Sequence, residues 1–170
     1  IRGAPSRKKS KLHEVHFYCK RYQGIVEMRV DERNKKGLLL AEDHFKAAKD
    51  IATKAPKRVR SSLRAKITQN FGNLEFVRGK FKNADSHFRA AFAQFNRSND
   101  FEHIVNSSIN VARTSIAICF ALGSNTELLA DAKGLLRTAL IHATGLGHQE
   151  SLAKIHYHLA SLHELEGLLE

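Results

Sequence analysis

Apolar residues return every three to four positions along almost the whole chain, and no stretch alternates apolar with polar as a half-buried strand does. The pattern predicts a first long helix over 11–33, interrupted only by Gly24, and a turn at Asn34, Lys35, Lys36 and Gly37. The next helix carries Leu39, Leu40, Ala41, His44, Phe45, Ala48 and Ile51 on one side and ends at Pro56, which cannot continue a helix. A second pair falls near 57–78 and 82–96. Asn99 is placed to cap a third pair, with Glu102 reaching back to it, and Gly123 stops that helix. Ser124 and Glu127 repeat the capping arrangement ahead of Leu128, Leu129, Ala132, Leu135, Leu136, Ala139 and Leu140. Gly145–Leu146–Gly147 is a C-terminal stop, and a last helix runs over about 150–166. The expectation is an all-α fold of about seven helices.

The same small and aromatic positions recur. Phe45/Ala48, Phe88/Ala91 and Leu136/Ala139 share one internal spacing, separated by 43 and then 48 residues, and Gly24, Gly72, Ala117 and Ala160 occupy matching small positions in the preceding helices. Residues 71–91, FGNLEFVRGKFKNADSHFRAA, hold Gly72, Gly79, Phe81, Ala84, Phe88 and Ala91. This spacing resembles the tetratricopeptide repeat. The units exceed the family's usual length of about 34 residues, so the chain is similar to the long-helix variety in bacterial peptide-sensing regulators and animal polarity and spindle adaptors. The segment ALIHATGLGHQESLAKIHYHLASLHELEG, ending at Gly167, resembles their linker-plus-helix pattern.

The resemblance implies antiparallel helix pairs stacked in a right-handed superhelical arc over 10–170. It also implies first helices on a concave face and a non-catalytic scaffold or adaptor holding a partner segment there. Residues 1–9 read as a basic, disordered tail. Because the last unit has only its first helix and the chain starts without methionine, 10–170 is expected to be a piece of a longer array.

Charge changes the picture. Residues 1–100 hold 24 Lys and Arg against 10 Asp and Glu, and residues 101–170 hold 4 against 7, within an overall formal charge of +11. The imbalance suits an acidic protein or peptide, or nucleic acid as the alternative, and is equally what a solvated surface carries. A self-assembling array is a third reading. Cys19 and Cys119 are isolated thiols, compatible with a reducing cytoplasmic or nuclear compartment. No apolar run reaches the roughly 20 residues that span a membrane, so no membrane partner is expected.

Candidate chemistry is sparse. His13, His16 and Cys19, or His156 and His163, lack the convergent spacing of a zinc site, and no nucleophile turn or phosphate-cradling glycine loop is present. Metal, cofactor and catalysis are therefore not expected. On the third helix Lys66, Gln69, Asn70, Asn73 and Val77 form one stripe, about 100° from Ile67, Phe71 and Leu74. Lysine supplies charge and asparagine both donor and acceptor, as a peptide main chain or carboxylate requires. Arg21, Tyr22 and Arg29, then Thr114 and Ser115, then Lys154, Tyr157 and His158, are the other inner-face candidates. Lys57, Arg58, Arg60 and Arg64 form a basic patch without an acid among them.

Overall fold

The computed structural model describes residues 7–30, 35–123 and 125–167, leaving aside the side chains of 7–10, 29 and 30. Seven helices follow one another: α1 Arg7–Val30, α2 Lys35–Lys54, α3 Lys57–Val77, α4 Phe81–Arg97, α5 Phe101–Leu122, α6 Thr126–Leu146 and α7 Gln149–Gly167. No strand occurs among the described residues. Each helix packs on its neighbours in the chain, and α1 also touches α3 while α5 touches α7. Short connections oblige successive helices to run antiparallel.

Two of the hairpins are built on the same contact. A Cβ at Gly24 of α1 would lie 2.5 Å from a ring carbon of Phe45 on α2, and a Cβ at Gly72 of α3 would lie 2.6 Å from a ring carbon of Phe88 on α4. Both phenylalanines are fully buried. Any side chain at either glycine would have to displace a ring that has no free space to enter. The cores lie between successive hairpins. Phe17, Phe45, Leu63, Ile67 and Leu74 join α1, α2 and α3, whereas Val105, Leu129, Leu136, Ile155 and Leu162 join α5, α6 and α7. A further cluster draws on four helices: Ala84 and Phe88 of α4 with Val111 of α5, and Phe76 of α3 and Leu135 of α6 packed against them. Ion pairs tie the outside: Arg78 holds Glu42 at 2.6 Å and Glu75 at 2.8 Å, and Arg89 holds Asp85 at 2.8 Å and Asp131 at 2.6 Å.

Several helix boundaries differ from expectation for local reasons. Lys35, Lys36 and Gly37 belong to α2 rather than to a turn, and Gly37 is buried there; Asn34 lies outside the described residues. Residues 7–9, expected in a disordered tail, begin the first turn of α1, and 1–6 lie outside the described residues. Asn99 does not cap α5. It takes a left-handed φ of 52° that closes α4, with the Asp100 amide donating to Phe95 carbonyl at 3.1 Å, a role asparagine tolerates. Asp100 is the cap, its side chain accepting from the His103 amide. At α6 the cap is Asn125, accepting from Leu128; Ser124 lies outside the described residues. Although no membrane-length segment was expected, α5 has the length and apolar composition to cross one; 61% of that apolar window is buried in the fold.

The paired glycines make opposite predictions from an exposed one. Gly134 lies inside α6 with nothing within 4 Å of a Cβ, so Gly134→Ala should stabilise by about 0.5–1 kcal/mol through helix propensity. Gly24→Ala and Gly72→Ala should instead destabilise by about 1–3 kcal/mol through overpacking. Urea unfolding of the three variants checks this; equal gains at all three positions would show that the rings give way freely.

Candidate functional site

Arginine 113 is the feature around which a site is built. It sits midway along α5 and is the one charged residue between Ile104 and Leu122. Its guanidinium lies 4.0 Å from the centre of the Phe76 ring and 6.0 Å from that of Phe88. Nη2 donates to Asn73 Oδ1 at 3.3 Å, and Nε is buried without a hydrogen-bond partner. Among the described residues no carboxylate lies within ion-pairing distance of it. Burial without an acid disfavours the charged form, so its pKa falls below the usual arginine range. The contact with the Phe76 face returns part of that desolvation cost.

The arginine borders a groove of about 420 Å³ between α5 and α7, shared with Ile116, Phe120, Tyr157, His158 and Glu164. Phe120 and Tyr157 are 72% and 68% exposed, so two aromatic faces stand open beside the buried cation. Tyr157 meets the His158 ring edge-on at 5.2 Å. Burial, and then the nearby Arg113 charge, hold the His158 imidazole below the ordinary histidine range. Chemically the groove offers a guanidinium with unused donors, a neutral imidazole and apolar surface. That combination suits a carboxylate flanked by apolar groups.

Of the residues expected from sequence, Tyr157 and His158 are brought together here. The others go elsewhere. Lys66 donates to the Tyr18 hydroxyl at 3.0 Å, joining α3 to α1. Arg21 lies 5.5 Å from the Tyr22 ring, and Tyr22 is exposed on α1. Lys154 pairs with Glu150. The Arg29 side chain lies outside the described residues. Asn73 serves the site indirectly, as the acceptor for Arg113.

Asn70 was expected on an open stripe but is only 2% exposed, with its amide nitrogen unpartnered. Thr114 and Ser115 are likewise fully buried. The physical reason is shared: α3 and α5 stand inside the stack and are covered on two sides, so the buried arc is wider than the single apolar stripe seen in sequence. Arg113 went unrecognised. Its signal was present as a lone cation in a long uncharged stretch.

Lys57, Arg60 and Arg64 share a second, basic cleft with residues of α4, while Arg58 is exposed and lies off it. Compared with protein-family models, with curated proteins and with solved structures, the chain finds no match in any of the three.

Removing Arg113 should not weaken the fold. No buried acid would be left behind, and exchanging an uncompensated buried charge for an apolar side chain of similar length is neutral to stabilising, by about 1 kcal/mol or more. Arg113→Met should therefore melt no lower than the native chain by calorimetry. A loss exceeding about 2 kcal/mol, the scale of a lost core side chain, would make Arg113 a structural residue.

Proposed function

We propose that this chain is a non-catalytic binding module of the tetratricopeptide-like kind, which holds an acidic protein segment in the groove between α5 and α7. The observation that carries the reading is Arg113, a largely buried cation that borders the groove with no carboxylate within ion-pairing distance among the described residues. A ligand carboxylate would form charge-assisted bonds with the free guanidinium nitrogens, while Phe120 and Tyr157 would cover the apolar groups beside it. Glu164 at the same groove disfavours ligands with acids at every position, which adds selectivity. The repeated glycine–phenylalanine hairpins and the direct packing of α1 on α3 and α5 on α7 support the repeat reading.

The test is selection of short peptides from a random displayed library against the full chain, then affinity measurement on those selected. Enrichment of one or two Asp or Glu beside apolar residues is expected. Arg113→Met should weaken the selected peptides by about tenfold or more, near 1.4 kcal/mol, and Glu164→Gln should tighten them. Peptides without acids, or binding indifferent to Arg113, would contradict the reading.

The same groove predicts a pH dependence. In the free protein His158 is held neutral by burial and by Arg113, with Glu164 and Tyr157 the other titratable groups facing the groove. A bound carboxylate screens Arg113 and adds a negative charge, so the His158 pKa rises on binding and protons are taken up. Affinity should therefore increase as pH falls from neutral toward the lowered His158 pKa of the free protein and level off beneath it, and the increase should disappear in His158→Gln. Calorimetry in buffers of different ionisation enthalpy measures the uptake directly.

A further inference from the structure

The second cleft lies between the start of α3 and the end of α4. Lys57, Arg60, Ser61 and Arg64 line it from α3, and Gln94 and Arg97 line it from α4, around about 390 Å³. Among the described residues none of the four cations has an acidic partner within ion-pairing distance. Two of the guanidinium groups are tethered rather than free to swing. Arg60 Nε donates to the Ala55 carbonyl at 2.9 Å, and Arg97 Nε donates to the Ala93 carbonyl at 3.1 Å. Each tether leaves the two terminal nitrogens of the fork available, and it reduces the entropy lost when they bind a ligand.

Helix α3 adds to the unmet positive potential. It opens at Pro56 with no side chain capping its first amides and no acid in its first turn. Cations stand where the helix dipole disfavours them. Four like charges and an uncapped helix start repel one another unless an anion sits among them. The cleft and the α5–α7 groove have no lining residue in common, so the two sites stand or fall separately.

We propose that this cleft binds the phosphate monoester of a phosphorylated serine or threonine in a protein segment. A phosphate monoester carries close to two negative charges and three acceptor oxygens, which two tethered guanidinium forks, Arg64, Lys57 and the Ser61 hydroxyl can meet together. A nucleic acid is the weaker fit. Its phosphodiesters carry one charge each, and single strands are held largely by aromatic side chains on which bases stack. No aromatic residue lines this cleft.

The experiment compares three short glycine- and glutamate-containing peptides that differ at one central position, which is serine, glutamate or phosphoserine. Fluorescence anisotropy with the full chain at fixed salt reads the affinities. The phosphoserine peptide should bind about tenfold tighter than either of the others, near 1.4 kcal/mol. The preference should vanish in the double variant Arg60→Gln with Arg97→Gln and shrink in Arg64→Gln, whose side chain is exposed and whose loss leaves the fold intact. Binding of peptides selected on the α5–α7 groove should be unchanged in all of these variants. Equal binding of the phosphoserine and glutamate peptides would overturn the proposal, as would a preference surviving the double variant. An oligouridine that displaces the phosphopeptide at lower concentration than the phosphopeptide's own unlabelled form would assign the cleft to nucleic acid instead.

Discussion

The Phe88 ring lies against the backbone of α3 because residue 72 has no side chain, and the positions of the later helices follow from that contact. With Gly72 beneath it, the ring sits in a cluster with Ala84 and with Val111 of α5, against which Phe76 of its own hairpin and Leu135 of α6 pack. A Cβ at residue 72 would push α4 outward and carry α5 and α6 with it. The first hairpin repeats the arrangement with Gly24 and Phe45. A stack whose units touch only their neighbours depends on each such contact in turn, because no single core spans the molecule to compensate for a misplaced unit.

Arg113 depends on that packing. Its guanidinium rests on Phe76 and reaches the Asn73 amide oxygen, both on α3, so the α3–α4 hairpin sets how the side chain projects from α5 toward the groove. Helix α7 provides the opposite wall. A cation held so firmly and left without an acid is costly for folding, since its desolvation is repaid only by an aromatic face and one neutral hydrogen bond. Arg78 pairs with two glutamates and Arg89 with two aspartates, whereas Arg113, like the part-buried Arg21 and Arg60, has no ion pair among the described residues.

Much of the fold was legible in the sequence because helical periodicity, glycine stops and the small–aromatic spacing are local signals. Gly72, Phe88, Ala91 and the α3–α4 hairpin fell where the pattern put them. Gly24, matched to Gly72 by the repeat, makes the same ring contact. The terminal caps were missed where two polar residues adjoin. Asn99 and Asp100 both suit a cap, and only the chain reversal decides that asparagine takes the left-handed position and aspartate the cap. The site was harder to see. A polar stripe on one helix does not reveal a second helix laid over it, and so Asn70, read as open, is buried. Arg113 acquires its meaning from α3 and α7, both distant in sequence. Tyr157 and His158, read as inner-face positions of the last helix, both line the α5–α7 groove.

Arginine side-chain nitrogen spectra, recorded while propionate or a selected acidic peptide is added, interrogate the central claim most directly. Arg113 Nε is buried and unpartnered, whereas Arg89 Nε already donates to Asp85 at 2.8 Å. The account predicts a saturable shift and slowed hydrogen exchange at Arg113, with Arg89 unmoved. A stationary Arg113 signal, or parallel small shifts at every arginine, would contradict it and leave the groove without a ligand-binding cation.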